Sequence, residues 1–368
     1  MLIITALLAK HGIHPPGHPD QLSNLEEVRG FGANPGNLRM LRHVPKALAP
    51  NPALLVVLHG CTQTAADYDR GAGWSVLADR FGFVLLFPEQ QRANNPNGCF
   101  NWFQPADVRR GQGEVASIRQ MIACCVRDQG IDASRIFVTG LSAGGAMASA
   151  MLACYPEVFA GGAIIAGLPF GAAASVQEAF AAMAQSPSRP AKEWGNLVRR
   201  ASPHIGAWPR ISVWHGGSDT TVVPANAREI LKQWMDVHHV ADASMQEDTV
   251  DGIARRAWKN DAGEEVVEYY AIPSMGHGTP LATGMGERRG GSAGPHMLEA
   301  GISSSFHIAR FFRLTGVSPA MPEMTFVAPP EATAEVSSAK TRFPRTPSAP
   351  GINIGAIIED ALRTAGLR

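Results

Sequence analysis

What the chain lacks excludes several classes of protein. Neither sign of charge is in excess: Lys plus Arg and Asp plus Glu both number 32, for a formal net charge of 0. Such a chain has no electrostatic footprint for nucleic acid or an anionic membrane surface. Charged residues are 17% against 45% hydrophobic, a globular balance, and no apolar run is long enough to span a bilayer. Residues 1–9 are apolar, but no basic run precedes them and Lys10, His11 and Pro15 end the stretch early. A secretory leader needs a longer apolar region and a cleavage site, so a segment that is not cleaved is expected. The five cysteines, Cys61, Cys99, Cys124, Cys125 and Cys154, match no zinc or redox spacing. Their odd number leaves at least one thiol unpaired within a monomer. Cys124, Cys125 and Cys154 read as small buried hydrophobes. The nearest histidine pair, His238 and His239, is adjacent and badly placed to chelate one ion; it reads as a solvated pair near a helix end. No phosphate-binding loop is present. No metal and no cofactor are expected.

What is present reads as one large α/β body with appendages. Continuous apolar runs at 53–59, 83–87, 135–139 and 161–166 predict strands buried on both faces, as in a parallel sheet. Residues 37–45 and 210–214 add two more strands, and 245–271 predict a hairpin, firmest at 266–270. Helical spacing appears at 72–81, 113–129, 143–154, 224–236 and 296–315. The alternation of strand and helix predicts an α/β fold over 35–318, with a mostly parallel central sheet covered by helices on both faces. Residues 171–200, polar and Ala-rich, predict a helical cap or insertion over the site. The segment 1–34 is expected to be irregular. A Pro- and Ala-rich linker is expected over 319–352. An amphipathic helix is expected over 353–368, with Ile354, Ile357, Ile358, Ala361 and Leu362 on one face, for docking on the body or self-association.

The sharpest chemical signal is Gly140-Leu141-Ser142-Ala143-Gly144, set between an apolar strand and an Ala-rich helix. That is a G-x-S-x-G nucleophile elbow in the strand–turn–helix context it requires. The glycines relieve the crowding of a sharp turn, Ser142 is lifted above the sheet edge, and the helix N-terminus favours developing negative charge. The chain order for such a site is serine, acid, histidine. Asp219 lies in the Gly-rich turn after 210–214, placed to accept from an imidazole and fix its tautomer. His277, between Gly276 and Gly278, is free to reach the serine. The later histidines, His296 and His307, are expected at the start of, or inside, the last helix. An acyl intermediate needs two N–H donors for its oxyanion; Ala143 supplies one, and Cys61, in the loop His59-Gly60-Cys61-Thr62-Gln63, the other.

Together these blocks resemble the polyhydroxybutyrate depolymerase family of esterases, relatives of the feruloyl and acetylxylan esterases in the α/β-hydrolase superfamily. The resemblance rests on Leu58 to Gln63, Gly73-Trp74, Phe87-Pro88-Glu89-Gln90, Asn94, Cys99-Phe100-Asn101-Trp102-Phe103, Gly140 to Gly145, His215-Gly216 with Asp219, and Gly276-His277-Gly278. It covers roughly 35–315. It implies a triad of Ser142, Asp219 and His277 and an oxyanion hole of the Cys61 and Ala143 amides. It also implies that Trp102 and Phe103 wall the acyl or aromatic group of the substrate. Cys61 and Cys99 both lie in these blocks and in loops after apolar strands that end on one sheet edge, so a Cys61–Cys99 disulfide is expected in an oxidising compartment; two reduced buried thiols remain the alternative. Well-known members are secreted, whereas the reading of residues 1–9 leaves a cytoplasmic location open.

The expected function is serine ester hydrolysis through an acyl-enzyme. The substrates expected are hydroxyalkanoate oligomers or polymer, or small acyl esters, with feruloyl or acetylxylan ester cleavage as the alternative. A serine peptidase on the same fold would show a carboxylate pair for a substrate amine, and none stands out. A non-catalytic granule- or partner-binding role would be excluded by labelling of Ser142 with a serine-reactive phosphonate.

Overall fold

A computed structural model describes residues 25–316; the segments expected to be a linker and a C-terminal helix, and residues 1–24, fall outside them. The apolar runs become strands because their side chains find cover on both sides. In β3 (Leu54–Leu58), Leu54, Val56 and Leu58 join one core cluster, while Leu55 and Val57 join the other. The same alternation runs through β4 (Val84–Glu89) and β5 (Ile136–Leu141). This two-sided burial is why these strands lack a polar face.

One ten-stranded sheet results. At one edge lie β1 (Glu26–Val28) and β2 (Arg39–His43), both antiparallel to their neighbours. The centre is parallel, in the order β4, β3, β5, β6 (Gly161–Ile165), β7 (Arg210–Gly216) and β10 (Glu265–Ile272). The far edge turns antiparallel with β9 (Ile253–Lys259) and β8 (Met245–Val250). A two-stranded parallel clip, β11 (Thr279–Leu281) and β12 (Met297–Glu299), stands apart.

Helices cover both faces. On one side lie α1 (Ala65–Ala72), α2 (Trp74–Phe81) and α8 (Ser304–Phe311). On the other lie α3 (Gly113–Gln129), α4 (Ala143–Cys154), α5 (Val176–Gln185), α6 (Ala191–Ala201) and α7 (Ala225–His238). Segment 171–200 thus carries two helices, α5 and α6, with Trp194 and Val198 of α6 built into the same core as α7.

Several elements depart from the sequence reading. The helix expected at 72–81 is α2, starting two residues later, and α1 precedes it as a further helix that was not expected; the two are separated at Gly73, which adopts φ 74° and whose N–H closes α1 onto Asp69 O at 2.7 Å. The hairpin expected over 245–271 is three strands, since the Asp251-Gly252 turn folds a further edge strand back. The helix expected over 296–315 shortens to Ser304–Phe311, with Ser303 as its cap; the preceding Gly- and Pro-rich stretch forms the clip instead. Of the pair His238 and His239, His239 is exposed as expected, whereas His238 is half-buried: its ring bonds the Pro209 carbonyl at 3.0 Å, and burial pushes it down to about 4. No helix among the described residues is long and apolar enough to cross a membrane.

Candidate active site

The C-terminal ends of the parallel strands share one edge, and the predicted site residues come from the loops that leave them. Ser142 follows β5 directly and caps α4 with φ 58° and ψ −118°, a strained conformation for a residue with a side chain. Its backbone is fixed on both sides: its N–H donates to Ile165 O at 2.9 Å, and its carbonyl accepts from Ala146 N at 2.9 Å. The glycines around it are required by contact. A Cβ on Gly140 would stand 2.4 Å from the Gly144 carbonyl, and one on Gly144 would stand 2.3 Å from Leu58 O. That last approach presses the start of α4 against the end of β3, bringing the Ala143 amide beside the loop that carries Cys61.

In that loop the Gly60 N–H donates to Gln63 Oε1 at 2.8 Å and the Thr62 N–H to Asn97 O at 2.8 Å. Among the described residues, the Cys61 and Ala143 N–H groups have no acceptor, as oxyanion donors require. The loop is anchored from beneath by His59, which sequence reasoning passed over. Its Nδ1–H donates to Gly60 O at 2.8 Å and its Nε2 accepts from Gln90 N at 3.1 Å. Burial pushes this ring below the ordinary histidine range, in keeping with a neutral tautomer. Cys61 and Cys99 are joined as a disulfide, and Gln90 Nε2 donates to Cys99 O at 3.0 Å. Cys124, Cys125 and Cys154 are buried free thiols.

Asp219 lies just beyond β7 and is 3% exposed. Its two oxygens do different work. Oδ1 accepts from the amides of Thr221 and Val222, both at 2.9 Å, shaping its own loop. Oδ2 accepts from His277 Nδ1 at 2.7 Å. Burial opposes the charge, but hydrogen bonding to His215 and His277 outweighs it and holds the carboxyl well below the usual range. His215, singled out in the sequence only as part of the block with Asp219, lies 3.4 Å from Oδ2 and bonds Val222 O at 2.8 Å. Because the carboxylate only accepts, His277 carries its proton on Nδ1 and keeps a lone pair on Nε2. No hydrogen bond joins Nε2 to Ser142 Oγ among the described residues; such links are commonly long until a substrate tightens them.

Of the glycines flanking His277, Gly278 is required by contact, whereas a Cβ on Gly276 would meet nothing within 4 Å. Gly278 passes so close to His296 that a Cβ would meet its carbonyl oxygen at 2.7 Å, and Gly216 would meet Gly276 O at 2.4 Å. His296 is no helix residue. It stands at the head of β12 with its ring 5.7 Å from that of His277; the Gly- and Pro-rich run before it was the available signal. His307 is inside α8, buried and bonded to Asp251 at 2.7 Å. Trp102, 8% exposed, belongs to the core, with Phe103 edge-on to it at 5.5 Å. Phe103 is the more accessible of the two.

A mostly parallel sheet with a serine on a strained elbow and a buried Asp–His pair defines the α/β-hydrolase class. Within it, the chain belongs to the esterase PHB depolymerase family, whose family model matches residues 40–257. It is 45% identical over 293 residues to poly(3-hydroxyalkanoate) depolymerase C of Paucimonas lemoignei, covering 79% of this chain and 70% of that one. It is 35% identical over 272 residues to feruloyl esterase B of Neurospora crassa, covering 70% and 89%. Among solved structures, the acetyl xylan esterase from Aspergillus awamori superposes with a TM-score of 0.63 at 28% identity, covering 69% and 93%. The chain is a hydrolase of the esterase type.

Proposed function

We propose that the protein hydrolyses carboxylic esters of hydroxyalkanoates, as oligomers or polymer, through an acyl-enzyme on Ser142. The observation that carries this reading is the 2.7 Å bond from His277 Nδ1 to Asp219, which leaves Nε2 free to act as base at the sheet edge where Ser142 stands. Ser142 Oγ attacks the ester carbonyl carbon while Nε2 takes its proton. The carbonyl oxygen becomes an oxyanion held by the Cys61 and Ala143 N–H groups. Asp219, already ionised, stabilises the imidazolium without taking its proton. The C–O bond to the alcohol then breaks, Nε2 returns its proton to the leaving oxygen, and water repeats the sequence on the acyl-enzyme.

The choice of hydroxyalkanoate is supported by the 45% identity to a poly(3-hydroxyalkanoate) depolymerase; identity to the feruloyl esterase is lower, at 35%. We also propose that the protein works in an oxidising compartment, where a Cys61–Cys99 bond persists.

The test is an ester panel of hydroxybutyrate oligomers, solid polymer, short nitrophenyl esters, methyl ferulate and acetylated xylan, read for wild type and Ser142→Ala. Hydroxybutyrate oligomers should show the highest kcat/KM. Ser142→Ala should stay folded and lose about 10⁴-fold or more in kcat. Near-normal turnover by the mutant would sink the nucleophile assignment, and preference for methyl ferulate would move the substrate class.

A further inference from the structure

One histidine beside the site has no part in the reaction above. His296 immediately precedes β12, and His277 lies just ahead of β11. The two strands pair in parallel, from Thr279 with Met297 to Leu281 with Glu299. The Thr279 N–H donates to the His296 carbonyl at 2.8 Å, and Gly278 lies against that same oxygen. The two histidine loops are therefore held backbone to backbone. Beyond the clip, Ser304 Oγ donates to Pro280 O at 2.9 Å and Tyr68 OH pairs with Thr279 Oγ1 at 3.3 Å, tying the loop to α8 and α1.

The His296 side chain turns back to the same neighbour. Its Nδ1 lies 3.2 Å from the His277 carbonyl oxygen. A carbonyl only accepts, so Nδ1 carries the proton. The two rings meet edge to face, 75° apart at 5.7 Å between centroids. His296 makes these contacts from φ 60°, a backbone region that a β-substituted residue occupies only when its surroundings hold it there. Burial pushes its ring below the ordinary histidine range, with the bond to the His277 carbonyl opposing the shift. A neutral ring adds no positive charge against the imidazolium that His277 becomes in turnover.

We propose that His296 is a positioning residue for the hydrolysis: it holds the His277 main-chain carbonyl and the His277 ring, and so sets where Nε2 meets Ser142 Oγ and then the leaving oxygen. The proposal rests on the assignment of Ser142, His277 and Asp219 as the reacting set. Asp219 fixes the imidazole at Nδ1 but leaves it free to tilt about that bond; contact with a second ring limits the tilt. Nε2 must serve two oxygens in turn, and misplacement by about 1 Å costs on the order of 10²-fold in rate.

Two substitutions separate positioning from simple backbone strain. His296→Gly relieves the φ 60° conformation but removes donor and ring. His296→Asn tolerates a left-handed backbone and keeps an N–H donor for the His277 carbonyl. The expected result is a thermal midpoint near wild type for both. His296→Gly should lose roughly 10- to 100-fold in kcat with little change in KM, and His296→Asn should recover part of that loss. If Asn does no better than Gly, or if both turn over like wild type, the positioning role is overturned. Phosphonate labelling of Ser142 in the unmodified protein is the independent arm. A wild type that turns over esters without being labelled overturns the nucleophile assignment; a labelled wild type with unchanged variants overturns only the role of His296.

Discussion

At the scale of single residues, Asp219 joins two tasks. An aspartate ahead of a helix is ordinarily a loop or cap residue, and Oδ1 does shape the turn through Thr221 and Val222. Oδ2 faces His277. Asp219→Asn keeps the size but offers an amide where the imidazole N–H must donate, so the ring is driven toward the wrong tautomer. A fall in kcat of about 10⁴-fold is expected with KM largely kept, measured on a short soluble ester; a loss under tenfold would mean that Asp219 only builds its loop. The same residue contributes to acid stability. Its folded pKa is depressed, so its contribution is full above the ordinary carboxylate range near pH 4 and is lost as pH falls further. The supports His59 and His296 were not legible as such, because each acts through a neighbour brought by another strand, Gln90 for one and His277 for the other; His215 acts within its own strand-end loop, on Asp219 and Val222.

At the scale of elements, the elbow, the oxyanion loop and the histidine loop are held by close approaches of backbone. Gly144 is where α4 meets the end of β3, with Leu58 O 2.3 Å from any added Cβ. Gly144→Ala must therefore push α4 away from β3 and separate the Ala143 and Cys61 amides. The expected outcome is loss of activity together with a lowered melting temperature, by the few kcal/mol typical of overpacking, followed by circular dichroism and ester turnover. A variant with wild-type melting and rate would show that the elbow has slack. The Cys61–Cys99 bond stiffens the same loop from its other side. It closes 38 sequence steps, worth about 4 kcal/mol of denatured-state entropy before any strain is counted. Reduction should lower both stability and kcat; lost stability with unchanged kcat would leave the bond structural only. The pairing was readable only as an expectation, since strand-end loops are brought to one edge by the sheet order and not by spacing in the chain.

At the scale of the whole molecule, the layer beneath the oxyanion loop contains a buried acid. Glu114, at the start of α3, accepts from Asn101 N at 2.9 Å and from Gln90 Nε2. It also packs against Gly36, where a Cβ would meet its Cα at 2.5 Å. Burial, with the nearby Asp107 charge, pushes its carboxyl up to about 8. In the unfolded chain it titrates near 4.5. Between these values the folded state holds a proton that the unfolded state has released, so stability is full below about pH 4.5 and declines as pH rises toward about 8. Glu114→Gln should flatten that decline, by up to a few kcal/mol across the window, in denaturant titrations at pH 5, 6.5 and 8. Parallel slopes for mutant and wild type would place the titration elsewhere.

The sequence by itself determined the elements whose cause is local. Apolar runs too short for helices became the buried strands; α3 falls at 113–129, as its apolar spacing indicates, and α4 at 143–154, an Ala-rich run buried on all sides; and Gly140 to Gly144 carried the nucleophile turn. Ser142, Asp219, His277, Cys61 and Ala143 could be nominated because their residue types sit at strand ends in the right chain order. Tertiary structure decided what depends on neighbours distant in sequence. The strand order placed Asp219 Oδ2 against His277 across 58 residues. Pairing of β11 with β12 turned a predicted helix start into the ledge carrying His296. Packing of Gly278 on His296 replaced an apparent hinge with a close contact. Hydrophobic periodicity reports which face of an element is buried, but not which other element buries it; that is settled only when the whole sheet closes on its two cores.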